Sequence, residues 1–241
     1  MQSVSTQEPA VVPAQPAARP KHKGSAQLFQ NPMLERLSHT HIALPVGIFA
    51  LTAVISLSYG LIYGFMTAAS AFGLFLLGLL AFTLAEYVVH RYLYHLPATS
   101  PGRAKLQYTM HGVHHEYPKD KTRLAMPPII TVFVVSLLFF IFRLSFGSHA
   151  FGLLAGFTFG YATYLFVHYA IHAYSPPKNF LKVWWTHHSQ HHYRQDEVAF
   201  GVSSTLWDHI IGTMPGKKAA SPRRPILTHQ KRATPHRSRP F

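Results

Sequence analysis

The sequence predicts an all-α integral membrane protein with four transmembrane helices and a cytoplasmic helical cap. Three observations support this prediction: long apolar runs, cations confined to particular connections, and histidines grouped at helical spacings. The chain has 241 residues, of which 48% are hydrophobic and only 12% are charged. Soluble proteins rarely have this composition, so a membrane environment is expected.

Four apolar segments are long enough to cross a membrane. They cover about residues 44–64, 68–89, 126–146 and 149–171, each with roughly 18 or more mostly apolar residues. At 1.5 Å per residue, a helix of that length crosses a hydrocarbon core about 30 Å thick. Buried helices of a soluble core are the less favoured alternative.

The cations predict which side of the membrane each connection faces. Of 22 Lys and Arg residues, four precede the first segment, six lie between the second and third, eleven follow the fourth, and one is Arg143. By the positive-inside rule, both termini and the central loop face the cytoplasm. The two remaining connections, near residues 66–67 and 147–148, carry neither Lys nor Arg. They are predicted to be the tips of two helical hairpins.

Both ends of the chain are predicted to lie outside the helical domain, which we place at residues 41–215. Residues 1–40 are predicted to be a disordered, basic and proline-rich arm, and residues 216–241 a basic, proline-rich tail, because neither composition can bury a core. The tail is either simply solvated or in contact with anionic lipid headgroups. No folded nucleic-acid reader is recognisable, so no nucleic-acid partner is expected.

Ten of the 18 histidines fall into four tight clusters. They are His90 and His95; His111, His114 and His115; His168 and His172; and His188, His191 and His192. Neutral imidazole is the commonest metal-ligating side chain, and ten are about what two ions with five ligands each require. The chain has no cysteine for thiolate sites, and its eight acids are too few for the Glu-x-x-His pairs of soluble di-iron bundles. The cap is therefore predicted to hold a histidine-rich di-metal site.

The spacings indicate how helices would present these rings. His168 and His172 are four residues apart, and the two HxxHH clusters place rings at i, i+3 and i+4, so each cluster lies on one helix face. His90 and His95 are five residues apart, about 140° around an α-helix, which predicts a helix end or an unwound turn. The predicted topology gathers all four clusters at one cytoplasmic mouth.

Three further residues are candidates to support the metal ligands through hydrogen bonds. Glu86 lies one turn before His90, and we predict that it bonds a ligand imidazole; the alternative is a carboxylate facing interfacial water. His187 precedes a cluster and is a candidate for the same supporting role. Asp208 either orients a ligand ring or caps a helix. No catalytic residue beyond the metal ligands, and no other cofactor site, is predicted.

The residues alone leave the metal open. Zinc would suit hydrolysis, whereas two iron ions could reduce dioxygen and oxidise an unactivated C–H bond. The position beside lipid favours oxidation, because a hydrocarbon chain could reach the metals from the bilayer through a cavity between helices.

Several segments resemble the fatty acid hydroxylase superfamily, which also contains sterol desaturases. They are EYVVHRYLYH at residues 86–95, HGVHHEYPKD at 111–120 and RLAMPP at 123–128. Later segments resemble the catalytic domain of sphingolipid fatty acid 2-hydroxylases. These are HYAIH at 168–172, SP at 175–176, LK at 181–182, the cluster at 188–192 and FGVSSTLWD at 200–208. The resemblance covers about residues 40–216.

The resemblance implies a di-iron, dioxygen-dependent membrane enzyme that hydroxylates a lipid acyl chain at the carbon next to its carbonyl. The ten clustered histidines would bind two iron ions, which zinc can replace during purification, and molecular oxygen would be the co-substrate. A sterol or carotenoid hydroxylase or desaturase is the alternative within the superfamily. A non-catalytic membrane metal-binding protein is the alternative from another class, but it would be expected to carry ligands within the spans.

The resemblance also implies a separate electron-donor protein. Many eukaryotic relatives carry a haem electron-transfer domain before the membrane part, and the first forty residues of this chain cannot hold one. The expected location is a bacterial inner membrane with the termini and active site in the cytoplasm, or an endoplasmic reticulum membrane in a eukaryote.

Overall fold

A computed structural model describes residues 20–216, and this part of the chain contains helices and no strand. The α-helices are α1 (Pro32–Leu37), α2 (Ala43–Ile62), α3 (Ala68–Val88), α4 (Pro101–Gln107), α5 (Val113–Glu116), α6 (Pro128–Phe146), α7 (Ala150–Ala173), α8 (Lys182–Tyr193) and α9 (Leu206–Ile211). Two segments are π-helical, Val89–Tyr94 and Tyr108–Gly112. The prediction of an all-α protein is confirmed for the described residues.

Three helical stretches are long and apolar enough to cross a membrane. They are Ala43–Ile62 with 20 residues, Ala68–Tyr94 with 27 and Pro128–Ala173 with 46. The third stretch contains two α-helices, α6 and α7, separated by a 3₁₀ turn at Gly147–His149. The predicted segments 126–146 and 149–171 correspond to its two halves.

Helix α7 lies at the centre of the four long helices and packs against the other three, α2, α3 and α6. Its approach to α3 is close because each of the two helices has a glycine in the contact. A Cβ atom at Gly156 would collide with the carbonyl oxygen of Phe75, and one at Gly78 would collide with that of Leu153. Small residues at such positions let two membrane helices pack backbone against backbone.

The outward faces of the long helices are apolar. Helix α6 buries only Thr131, whereas Phe133, Phe140 and Leu144 are largely exposed. An apolar surface of this extent is unusual for a soluble monomer and suits contact with lipid.

Residues 20–40 lie against the helical domain, whereas the sequence predicts an arm outside it. Lys21 N–H donates to the Glu116 carbonyl at 2.6 Å, and the Lys21 ammonium contacts the Glu116 carboxylate at 2.6 Å. Ser25 Oγ donates to Asp120 Oδ2 at 2.5 Å. These contacts are polar, so a composition argument that asks only for a hydrophobic core does not detect them. The predicted arm up to residue 19 and the predicted tail from residue 217 lie outside the described residues.

Candidate metal centre

The five-residue spacing of His90 and His95 is accommodated by a π-helical turn directly after α3. In Val89–Tyr94 the hydrogen bonds join residues five apart, and His95 N–H donates to the His90 carbonyl at 3.2 Å. Both rings therefore lie on one side of the turn, with centroids 5.2 Å apart. The turn predicted to be unwound is thus a wider helix.

All ten clustered histidines converge beside the ends of α3 and α7, where they form two groups of five. The first histidine group contains His90, His95, His111, His115 and His191. The second histidine group contains His114, His168, His172, His188 and His192. Within each group the candidate ligand nitrogens all lie within 4.8 Å of one another. Each HxxHH motif contributes to both groups, so the two groups are joined through the same helices.

The spacing of the ring nitrogens fits a metal ion in each group. The Nε2 atoms of His90 and His111 are 3.1 Å apart, and those of His172 and His188 are 2.9 Å apart. Two nitrogens that each lie about 2.1 Å from one ion, at right angles to each other, are separated by ~3.0 Å. Five imidazole donors in each group also suit iron or zinc.

The environment keeps these rings neutral. In six of the seven rings that lie outside the three long apolar stretches, burial, followed by repulsion from neighbouring imidazoles, holds the pKa well below its ordinary value: His111, His114, His115, His188, His191 and His192. Burial also lowers the pKa of His95 to about 4. A metal binds the lone pair of the neutral ring, so these residues are ready to bind an ion at pH 7 without first losing a proton.

Two rings of the first group are oriented by backbone carbonyls. His90 Nδ1–H donates to the Phe200 carbonyl at 2.6 Å, and His191 Nδ1–H donates to the Val198 carbonyl at 2.8 Å. With Nδ1 protonated, Nε2 carries the lone pair. In both rings Nε2 contacts another histidine of the same group.

Glu86 does not form the predicted hydrogen bond to an imidazole. Its carboxylate accepts from the backbone N–H of Val202 at 2.5 Å and of Ser203 at 2.9 Å, and from the Ser203 hydroxyl. The chain after α8 folds back against α3 and presents its N–H groups to this carboxylate. Glu86 therefore supports the segment that carries the Phe200 carbonyl, and this carbonyl in turn accepts the hydrogen bond from His90.

Asp208 and His187 contact each other. Asp208 accepts from His187 Nε2 at 3.1 Å and from the N–H groups of Phe200 at 3.0 Å and Gly201 at 2.8 Å. The ring that Asp208 orients thus lies outside the two histidine groups, and Asp208 lies inside α9 instead of capping it. Like Glu86, Asp208 supports the segment that carries the Phe200 carbonyl.

The two backbone carbonyls that accept hydrogen bonds from histidine rings were not predicted from the sequence. A backbone carbonyl is present at every residue, so Val198 and Phe200 have no distinguishing signal of their own. A weak signal is Gly201, where a Cβ atom would collide with the carbonyl oxygen of Ser204. A glycine so placed indicates tight backbone packing, without indicating what the packing serves.

A cavity of about 430 Å³ lies between the two histidine groups and helices α6 and α7. Its walls include His111 of the first group and His114 and His168 of the second. Most of the remaining lining is apolar, and its members include Leu124, Met126, Ile129, Ile130 and Leu165. A second cavity of about 370 Å³ meets the second group on another side, where Lys119 and Trp185 contribute to its walls.

The fold and the site define a class of protein: a helical integral membrane protein with ten clustered histidines in two groups that could each hold a metal ion. Residues 75–213 match the family model described as fatty acid hydroxylase. Dihydroceramide fatty acyl 2-hydroxylase FAH2 of Arabidopsis thaliana is 36% identical over 181 residues, which cover 75% of this chain and 73% of FAH2. Fatty acid 2-hydroxylase of Rattus norvegicus is 34% identical over 221 residues, which cover 83% of this chain and 58% of the rat protein.

A solved structure shares the fold. It is described as full-length scs7p with only the hydroxylase domain visible, is 33% identical, and aligns with a TM-score of 0.74 over 83% of this chain and 76% of that chain. The chain belongs to the fatty acid hydroxylase family, as its motifs predict, and is an enzyme of that family. It spans little more than half the length of the rat relative.

Proposed function

We propose that this enzyme hydroxylates the acyl chain of a membrane lipid at the carbon next to the carbonyl, with two iron ions and dioxygen. The observation that supports this most directly is the shared apolar cavity, because His111, His114 and His168 bring both histidine groups to one wall of it. A hydrocarbon chain in that cavity would lie against both groups. The names of the plant and rat relatives, both 2-hydroxylases, favour the carbon at position 2.

The ten histidines of the two groups would hold one ion in each group. When bound, two iron ions would supply the reduction of dioxygen that hydroxylation of an unactivated C–H bond requires. The overall reaction consumes one dioxygen, two electrons and two protons; one oxygen atom enters the new hydroxyl group and the other leaves as water. The protein itself orients the imidazoles, keeps them neutral, and lines the approach with side chains that exclude water and bind hydrocarbon.

The rim of the cavity supports entry from the lipid. Ile129 and Ile130 begin α6 and are both exposed, and Leu34 and Leu37 of α1 are exposed on the same rim. Apolar side chains that line a cavity and also face outward form a continuous path for an acyl chain. The lipid headgroup can then stay at the interface while the chain enters.

We also propose four membrane crossings, with α6 and α7 as separate spans. At 1.5 Å per residue the 46-residue third stretch would be about 69 Å long, more than twice a hydrocarbon core. Phe142 of α6 contacts Phe157 of α7 with ring centroids 5.6 Å apart, as expected for a hairpin. Phe65 stacks on Phe151 at 5.4 Å, so the two predicted hairpin tips lie together.

The cytoplasmic orientation is proposed from charge. The connections at the histidine end carry almost all the cations of residues 20–216, whereas the tip end carries Arg143 alone. The site would then face the cytoplasm, from the inner membrane of a bacterium or the endoplasmic reticulum membrane of a eukaryote. We propose that a separate cytoplasmic donor protein supplies the two electrons.

The test is formation of hydroxylated lipid in cells that otherwise lack it, grown under labelled dioxygen. The wild-type chain should produce 2-hydroxyacyl lipid that carries the label, detected by mass spectrometry. His111→Ala should abolish the product, because it removes a ring that lines the cavity and belongs to the first group.

His149→Ala is the matched control. His149 is exposed in the turn between α6 and α7, away from both groups, so its loss should leave product formation unchanged. Product oxygen that comes from water, or full activity of His111→Ala, would contradict the proposed oxygenase.

A further inference from the structure

We infer that residues 198–203, here called the carbonyl segment, position two histidines of the first group and make this group the tighter of two unequal ion sites. This inference rests on the proposed two-ion function and deepens it. It assigns Glu86 and Asp208 as positioning residues that act on the metal centre through the backbone.

The carbonyl segment presents alternate carbonyls to two rings of one group. The Val198 carbonyl accepts from His191 and the Phe200 carbonyl accepts from His90. Ala199 lies between them with φ +59°, a left-handed conformation that residues other than glycine rarely adopt. Ala199 is also fully buried. A conformation that is unfavourable for alanine persists only where the surroundings impose it, which points to a purpose for the placement of these carbonyls.

Two buried carboxylates and one carbonyl impose that conformation. Every backbone N–H from residue 199 to residue 203 has a partner. The Thr213 carbonyl accepts from residue 199 at 2.9 Å, Asp208 accepts from residues 200 and 201, and Glu86 accepts from residues 202 and 203. Glu86 comes from α3 and Asp208 from α9, so the segment is fixed between two elements. Five consecutive bonded N–H groups leave it little freedom to move either carbonyl.

The second histidine group has less support within residues 20–216. The buried Nδ1 atoms of His114, His188 and His192 have no hydrogen-bond partner there, and only His168 has a backbone neighbour, the Leu124 carbonyl. Packing alone therefore sets the orientation of three of its rings. A ring whose Nδ1–H is bonded keeps its Nε2 lone pair aimed at the ion and is the more basic ligand, and loss of such support commonly costs 10–100-fold in metal affinity.

The inference predicts two zinc affinities in one protein. Metal-depleted, detergent-purified full chain should take up two zinc ions per chain in a titration against a zinc-buffering chelator, in two resolved steps. His90→Ala should remove the tighter step and His168→Ala the weaker one. This measurement on the wild type needs no variant of the carbonyl segment.

Two variants of nearly unchanged volume test the positioning role. Asp208→Asn replaces one acceptor oxygen with an NH₂ group that opposes a backbone N–H, because each of its oxygens accepts from one. Glu86→Met removes both acceptor oxygens of Glu86, whereas a glutamine could keep the one oxygen to which the N–H groups of residues 202 and 203 bond. Each should weaken the tighter step about 10–100-fold and leave the weaker step unchanged. Ser56→Ala is the matched control, because it removes a buried hydrogen bond of 2.9 Å to the Phe151 carbonyl, far from the histidines. It should lower the unfolding temperature without changing either zinc affinity.

A single affinity for both ions in the wild type would overturn the inference. So would folded Glu86→Met and Asp208→Asn proteins that retain both wild-type affinities, or that lose both to the same extent. If the wild type took up neither zinc nor iron, the proposed metal-dependent function would fail with it. Two ions in the wild type together with unchanged variants would overturn the inference and leave the proposed function standing.

Discussion

Glu35 attaches the N-terminal part of the described chain to the loop before α6. Its carboxylate accepts from the N–H groups of Leu28 and Phe29, both at 2.9 Å, and pairs with Arg123 at 2.5 Å. Arg123 is buried and lines the apolar cavity, as does Leu34 next to Glu35. One carboxylate thus fixes α1 against the rim of the proposed substrate cavity.

The attachment of α1 should weaken in acid. Burial acts to raise the pKa of Glu35, but hydrogen bonds from Phe29 and Leu28 and the charge of Arg123 outweigh it and lower this pKa to about 2. Because the folded-state pKa is below the ordinary glutamate pKa of 4.5, the stabilisation is present above about pH 4.5 and is lost as the pH falls towards 2. A fluorophore on Lys23→Cys, in a chain with no other cysteine, should lose anisotropy over that range.

Glu35→Gln is the control for this pH dependence. It keeps the side-chain length but removes the charge, so anisotropy should already be lower at pH 7 and should change less in acid. An unchanged acid transition in Glu35→Gln would assign the effect to other carboxylates, such as Glu116 with Lys21.

At the metal centre, some residue roles could be predicted from the sequence and others could not. The ten imidazoles could be predicted because metal binding needs a particular side chain at a particular spacing. The roles of Glu86 and Asp208 could be predicted only as support for the site. Their actual partners are backbone N–H groups more than 100 residues away from Glu86, and only the folded chain brings these together.

At the scale of elements, the contact between α3 and α7 positions the two histidine groups. The first group depends on His90 just beyond α3, and the second on His168 and His172 in the last turns of α7. A change in the packing of these two helices would therefore move one group relative to the other.

Gly156→Ala should disrupt this contact. The new methyl group would collide with the Phe75 carbonyl, and backbone cannot move aside as a flexible side chain can. Overpacking of this kind typically costs about 1–3 kcal/mol. Thermal unfolding in detergent should show the loss, with a parallel loss of hydroxylated product.

Gly73→Ala is the matched control on α3. No atom of another helix lies within 4 Å of the position that its Cβ would occupy, so stability should be unchanged within about 1 kcal/mol. Equal stability of Gly156→Ala and Gly73→Ala would contradict close packing of α3 on α7.

Helical periodicity predicted which rings share a face, yet it could not assign them to groups. Rings at i, i+3 and i+4 are neighbours on one helix, but His111 and His114 are on either side of the boundary between the two groups. That boundary depends on which rings of other helices approach, and this is a tertiary property. Similarly, α-helical geometry separates His90 and His95, whereas the π turn brings them together.

At the scale of the whole molecule, the charge distribution predicts on which side of the membrane each connection between helices lies. Residues in the central loop and after α7 should be on the same side, and the two hairpin tips on the other. Single cysteines at Lys105 and Lys178 should react with an impermeant maleimide only after the cytoplasmic side is opened. Cysteines at Tyr63 and His149 should react in intact cells. Labelling of residues 105 and 178 from opposite sides would contradict four crossings.

The shape of the cavity should set which acyl chains are hydroxylated. Met126 lines the cavity just before α6, so Met126→Trp should fill part of it. If the smaller cavity holds two or three fewer methylene groups of the acyl chain, turnover of the longest chains should fall about tenfold or more. The reason is that each CH₂ group left unburied costs about 0.8 kcal/mol of binding free energy. Turnover of shorter chains should be retained.

Val132→Trp is the control, since Val132 is exposed on α6 and lies outside the cavity lining. The measurement is the chain-length distribution of the hydroxylated lipids by mass spectrometry. A distribution unchanged by Met126→Trp would mean that the acyl chain does not occupy this cavity.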